Sequence, residues 1–200
     1  DKNCIYMGNG ELHVDKFPIV IDKSKIIIDA FASRKTGCEL NISSKNFSAR
    51  DIYNMVSSNI IIPNGKELLA PVCDVNGSVD FNLNLTKNNI RGDVNVNESE
   101  FKIKDLLKMP VKITQGIVEI GNRDITFKDF KGYYNNKKEN SLVMEGNVKD
   151  YWKTCDTKIV SDIFVNDDFF KNYVTKMLGA PVDLLGDAGS RLTLSSKNGS

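Results

Sequence analysis

The stretch Gly77–Ile103 reads GSVDFNLNLTKNNIRGDVNVNESEFKI and decides the fold class of this chain. Apolar and polar residues alternate along it for the length of two strands, and a polar turn at Lys87, Asn88 and Asn89 lies between them. Successive side chains of a strand point to opposite faces of a sheet, so the pattern predicts an antiparallel hairpin with one apolar and one polar face. What covers the apolar face is therefore the functional question.

The alternation assigns individual residues to each face. The polar set is expected to face solvent and comprises Asp80, Asn82, Asn84, Asp93 and Asn95. The apolar set is expected to share the other face and to continue onto later strands; it comprises Val79, Phe81, Leu83, Leu85, Ile90, Val94, Val96, Val118, Ile120, Leu142 and Met144. We predict a mainly β protein, a β-rich α+β fold built on a curled antiparallel sheet with repeated hairpin units.

Composition excludes some classes of protein. The chain has 200 residues, of which 40% are hydrophobic, enough to bury a core. Its 27 basic and 26 acidic residues are interspersed, which indicates no nucleic-acid partner. Apolar runs such as Ile26–Ile28 and Ile60–Ile62 are far shorter than the roughly 20 residues of a membrane-spanning helix.

The two halves of the chain resemble each other loosely. Each has a strand that follows a glycine (Gly10 or Gly116), then two more strands and a short helix, so we expect two repeat-like β units at 1–76 and 77–200. The helices are expected near residues 48–57 and 166–178, because Ser48 and Asn166 are good N-caps before apolar stripes. A further strand is expected at about 189–194, which suggests a fragment of a longer array.

The segment between hairpin and second repeat is ambiguous. Leu106, Leu107 and Met109 favour one helical turn before Pro110, and a loop at the edge of the sheet is the alternative.

Residue types needed for catalysis or metal binding do not occur in useful spacings. Cys4, Cys38, Cys73 and Cys155 lie far apart, which argues against zinc and favours buried free thiols, although two disulfides in any of three pairings stay open. His13 is the one histidine and is expected to be a solvated surface residue. With no nucleophile and base in recognisable order, we expect no enzyme, no cofactor and no metal site.

The succession of motifs is similar to that of a known family. The chain has GSVDFNLNL, IRGDVNVNESEFKI and LLKMPVKITQG, and then GIVEIGNRDITFKDFKG at Gly116–Gly132, which fits the pattern G-x-v-x-i-x-n-x-x-i-x-f-x-x-f-x-G. A strand ending in MEGNVKD and the segment APVDLLGDAGSRLTL follow. From about Gly77 to Leu194 this resembles the AsmA-like family of Gram-negative envelope proteins.

The resemblance implies a non-catalytic function. Family members have long β-sheets with an apolar inner face, are anchored in the inner membrane, and are thought to carry phospholipid across the periplasm. The implied function is a non-enzymatic β-groove for phospholipid transport and outer-membrane biogenesis, in the periplasm, with an inner-membrane anchor outside this chain. The implied partners are phospholipid acyl chains and envelope proteins at either end of the array. The alternative is a structural or interaction domain, such as an adhesin or solenoid module, with a closed core and no lipid role.

Overall fold

The residues that the structure describes form one open antiparallel sheet of eleven strands, and one short helix follows the fourth strand. The computed structural model describes residues 4–21, 23–58, 66, 69–70, 72–104, 107–151, 153–154, 156–166, 169–171 and 188–197. The elements are β1 (Cys4–Gly8), β2 (Glu11–Ile21), β3 (Ser24–Ser33), β4 (Gly37–Ser48), α1 (Ala49–Ser57), β5 (Val72–Thr86), β6 (Asn89–Ile103), β7 (Leu107–Ile120), β8 (Ile125–Tyr134), β9 (Ser141–Lys149), β10 (Asp156–Val165) and β11 (Ala188–Ser196). The prediction of a mainly β, antiparallel protein is confirmed.

Each strand pairs with the next strand along the chain, so the sheet is a meander. The hairpin predicted from residues 77–103 is β5–β6, with Phe81 opposite Val94 and Leu85 opposite Ile90. Directly paired residues share a face, which puts the predicted apolar residues of both strands together. We call this side of the whole sheet the apolar face and the other side the polar face.

A bulge before a phenylalanine interrupts the alternation in three strands. Phe17 in β2, Phe47 in β4 and Phe130 in β8 each follow a residue with positive φ, and a register shift ends at each phenylalanine. The extra residue of a bulge resets the alternation, so the phenylalanine lies on the same face as the residue three positions earlier, which is Val14, Ser44 or Phe127. Polar pairs before phenylalanine mark these points in the sequence: DKF at 15–17, KNF at 45–47 and KDF at 128–130.

The helix covers the apolar face at one end of the strands. The backbone N–H of Asp51 donates to Oγ of Ser48 at 3.3 Å, which is the predicted N-cap. Ile52 and Met55 of α1 pack against a cluster whose buried members include Phe47, 1% exposed, and Val79. We call the line of strand ends beside α1 the lower edge of the sheet. The opposite strand ends form the upper edge, which carries the hairpin connections 9–10, 34–36, 87–88 and 121–124.

A second cluster lies at the lower edge of the later strands. Its buried members are Val111, Ile113, Phe130 and Tyr134. The hydroxyl of Tyr134 donates to the carbonyl of Phe164 at 2.7 Å, and its ring contacts that of Phe169 edge-on at 5.2 Å between centroids.

The second predicted helix falls largely outside the described residues, which include 166 and 169–171 of the range 166–178. The cap predicted for it does occur, because the backbone N–H of Phe169 donates to Oδ1 of Asn166 at 2.9 Å.

The region after the hairpin differs from the expectation of a helical turn. Residues from Leu107 onward belong to β7, and Leu107 pairs with Ile103. The α conformation is disfavoured for Met109, because it precedes Pro110. Pro110 lacks an N–H, and the strand accommodates it near the register shift between Phe101 and Ile103.

The second half also contains a strand without a counterpart in the first. β10 lies between β9 and residue 166, whereas α1 follows β4 directly. The expected strand near 189–194 is confirmed as β11, which pairs with β10. The division at 76–77 stays a prediction, and the position lies within β5 of the continuous sheet.

Candidate functional site

The apolar face is continuous across the sheet. Cross-strand pairing joins residues into rows, and one row runs through Ile19, Ile26, Ser44, Phe81, Val94, Val118, Phe127, Gly146 and Ile159. A neighbouring row runs through Ile28, Ile42, Leu83, Gly92, Ile120, Ile125 and Val148. The register therefore places every predicted lipid-facing residue, including Leu142 and Met144, on this one face.

These residues differ in how they are covered. Those near the lower edge pack in the two clusters: Val79, Phe81, Val94 and Val96 in the first, and Val96, Val118, Leu142 and Met144 in the second. The others lie nearer the upper edge, away from the buried residues of both clusters: Leu83, Leu85, Ile90 and Ile120. The structure thus divides the predicted set into a packed part and a part beyond the clusters.

A groove opens on the apolar face at the upper edge of the first strands. Its volume is about 930 Å³. Apolar and thiol side chains from β1 to β5 line it, namely Met7, Leu12, Ala32, Cys38, Leu40 and Leu85. Binding sites for small molecules commonly occupy roughly 300–1,000 Å³ and are mainly apolar, so the groove has the size for one such ligand.

Of the predicted residues, Leu85 lines the groove; the residues from β1 to β4 were not predicted. A signal for some of them exists in the sequence, because Cys38, Leu40 and Ile42 alternate with polar residues just as β5 does. The contribution of Met7 has no such signal, since β1 is short and joins the site through its pairing with β2.

Charged residues lie at the upper rim of the groove. Arg34 opens the β3–β4 connection and Lys87 opens the β5–β6 connection, and both line the groove with Glu11. The Glu11 carboxylate lies 3.3 Å from Nε2 of His13. None of the ion pairs within the described residues involves Arg34 or Lys87.

The polar face is held by side-chain hydrogen bonds between strands. Nδ2 of Asn84 donates to Oδ1 of Asn41 at 2.7 Å and to Oε1 of Glu39 at 2.6 Å. The predicted polar residues all lie on this face by register; Asn82 is exposed, and the others are half-buried because neighbouring polar side chains cover them.

His13 is less solvated than expected. Its ring stacks on Tyr6, with 4.5 Å between centroids, and meets the edge of Phe31 at 4.7 Å. This stack lies on the polar face and leaves the side chain of His13 30% exposed. The pairing of β1 with β2 brings Tyr6 opposite His13, a contact between strands that a single-strand reading does not show.

The two cysteines whose side chains the structure describes, Cys38 and Cys73, are free thiols, and neither is fully buried. Cys73 is half-buried, whereas Cys38 is exposed at the rim of the groove. The prediction of buried thiols is therefore wrong for Cys38, because its strand begins at the open upper edge, and Cys73 meets it only in part. The pairing state of Cys4 and Cys155 lies outside what the structure describes.

Neighbouring acids raise the pKa of two lysines in the described part of the chain. A hydrogen bond from Lys102 to Asp74, and the negative charge of Glu98 beside Lys112, raise the pKa of these two lysines above the usual value. Both therefore stay protonated at neutral pH.

Within the described residues, no group of three His, Cys, Asp or Glu side chains could hold a metal ion. No helix among these residues has the length and apolarity required to cross a membrane.

Comparison with known proteins finds no matching family model, no matching curated protein and no matching solved structure. The resemblance of residues 77–194 to the AsmA-like family stays a prediction.

Proposed function

We propose that the apolar face of this sheet is a hydrophobic groove that holds phospholipid acyl chains during transport between the inner and outer membranes. The observation that carries the proposal is the 930 Å³ groove at the upper edge, because it is continuous with the apolar rows of the whole sheet. Each acyl CH₂ kept out of water is worth about 0.8 kcal/mol, so a carrier needs an apolar lining along the chain and no catalytic residue.

The resemblance to the AsmA-like family supports the same proposal. It implies a periplasmic protein anchored to the inner membrane through a segment outside this chain, and envelope proteins as partners at the ends of the array. An antiparallel meander suits this role, since each added hairpin extends the lining by a similar strip of apolar side chains.

Photo-crosslinking tests the proposal. A benzoylphenylalanine at Leu85, in the groove, is expected to capture phospholipid in cells, and a probe at Leu83 is expected to do the same. The matched control is a probe at Asn82, which lies on the same strand as Leu83 and Leu85 but is exposed on the polar face. This probe should capture no phospholipid. Equal capture from both faces, or no capture from either, would contradict the groove.

A second candidate is a structural domain with a closed core and no lipid role. The packing of α1 and Phe169 against the apolar face at the lower edge favours it, because these contacts resemble an ordinary core. Replacing Leu83 with arginine separates the two candidates. In an open groove the arginine reaches water and the fold survives with impaired transport, whereas a closed core would unfold.

A further inference from the structure

The groove combines an apolar floor with a cationic rim. We infer that it selects a glycerophospholipid with a net anionic headgroup, whose acyl chains lie on the floor and whose phosphate lies between Arg34 and Lys87. This inference rests on the proposed function and adds the class of lipid and the residues that recognise its headgroup.

Strand order places the two cations on either side of one strand. Arg34 follows Ser33, which pairs with Gly37 at the start of β4, and Lys87 follows Thr86, which pairs with Glu39 of the same strand. Since β3 and β5 flank β4, their backbones lie roughly 10 Å apart, two strand spacings. Both residues line the groove, one on either side of β4.

The rim between these cations is open. An added Cβ at Gly37, which begins β4 between them, would meet no atom within 4 Å, and the same holds for Gly8 and Gly10 across the groove. All three glycines line the groove. A headgroup can therefore reach Arg34 and Lys87 from solvent while the acyl chains lie below.

The charges at the rim favour an anion. Arg34 and Lys87 are exposed and belong to none of the ion pairs in the described part of the chain. The one acid lining the groove, Glu11, is turned to His13 on the polar face. A zwitterionic headgroup would bring its own ammonium group beside these cations, which repel it. An anionic headgroup carries the phosphate charge without an ammonium group, so its interaction with Arg34 and Lys87 is attractive.

The test measures lipid capture by the purified chain carrying benzoylphenylalanine at Leu85. Vesicles are made of dioleoyl phosphatidylglycerol or dioleoyl phosphatidylcholine, so that the acyl chains are identical, and adducts are quantified by mass spectrometry. Phosphatidylglycerol is expected to be captured about fivefold more, the size of effect that two exposed charge contacts provide. In the double variant Arg34→Gln/Lys87→Gln, its capture should fall to the level of phosphatidylcholine.

A matched control separates headgroup recognition from general attraction to an anionic vesicle. Lys23→Gln/Lys138→Gln removes the same charge from exposed turns at the lower edge and should keep the preference. Circular dichroism melting checks that both double variants fold.

The outcomes are distinct. Equal capture of both lipids, unchanged in Arg34→Gln/Lys87→Gln, would overturn the headgroup inference and leave the acyl groove standing. Loss of preference in both double variants would also overturn it, in favour of nonspecific surface attraction. Capture of neither lipid by a folded protein would overturn the proposed function together with the inference.

Discussion

The backbone N–H of Asn46 donates to Oδ1 of Asp80 at 2.8 Å, across the bulge that returns Phe47 to the apolar face. The same relationship occurs one hairpin earlier, where the N–H of Lys16 donates to Oδ1 of Asp29 at 2.8 Å before Phe17. In both cases a carboxylate on the polar face satisfies a backbone donor that the bulge withdraws from the ladder. The polar face thus stabilises the irregularity that keeps the apolar face continuous.

Removing the Asp80 carboxylate should therefore destabilise the sheet. We expect Asp80→Ala to lower the free energy of unfolding by about 1–3 kcal/mol, because it leaves the N–H of Asn46 without its acceptor. Asp80→Asn should have a smaller effect, since its amide oxygen can accept the same bond. Urea unfolding measures both. The control Asp162→Ala, which breaks the exposed pair with Arg191, should cost at most about 1 kcal/mol. Equal losses at Asp80 and Asp162 would refute a special role for the bulge acceptor.

The two parts of the apolar face should respond differently to truncation. Phe47→Ala should cost about 3–5 kcal/mol, because Phe47 is 1% exposed and packs edge-on against Phe81. Phe81→Ala should cost about 3 kcal/mol, because Phe81 is half-buried and its ring packs against that of Phe47. Leu85→Ala, at the open groove, should cost clearly less than the usual 2–5 kcal/mol of a buried leucine. A core-sized loss at Leu85 in thermal unfolding would favour the closed structural domain.

Asn140 connects the second cluster to the segment after β10. It is 0% exposed; its Nδ2 donates to the carbonyl of Tyr134 at 3.2 Å, and its Oδ1 accepts from Nδ2 of Asn166 at 2.7 Å. Asn140→Ala would remove both of these hydrogen bonds and leave a small cavity at a fully buried position, so we expect a loss of about 1–3 kcal/mol. Hydrogen exchange at the N–H of Phe169, which donates to Asn166, should also become faster. Unchanged exchange with unchanged stability would show that this connection is not needed.

Gly92 should be intolerant of a side chain for a steric reason. A Cβ there would lie 2.2 Å from the carbonyl oxygen of Asn82 and 2.7 Å from Cδ2 of Leu83, which packs over this glycine. We expect Gly92→Ala to cost about 1–3 kcal/mol, because backbone must move. Gly8→Ala is the matched control, since its Cβ would meet nothing within 4 Å. Similar melting temperatures for the two variants would contradict this close approach of β5 and β6.

Local patterns predict much of the fold. The alternation in residues 77–103 predicts the hairpin, its faces and its turn, and the N-cap at Ser48 predicts α1, because these features depend on neighbours close in sequence. The prediction of a helical turn at Leu107 is wrong for the converse reason. Its short apolar run suits a helical turn as well as a strand, and pairing with Ile103 decides between them.

The sequence by itself determined the mainly β class of the protein, the two faces of its central hairpin and the residues on each face. The reason is that successive side chains of a strand point to opposite faces, so the alternation of apolar and polar residues shows which face each one occupies. Tertiary structure alone decided which part of the apolar face is covered. Contacts of α1 close the lower edge over Phe47, and pairing across β1 to β5 gathers Met7, Leu40 and Leu85 into a groove. These residues are distant along the chain, and each strand carries only one strip of the lining, so the groove exists only once the strands lie side by side.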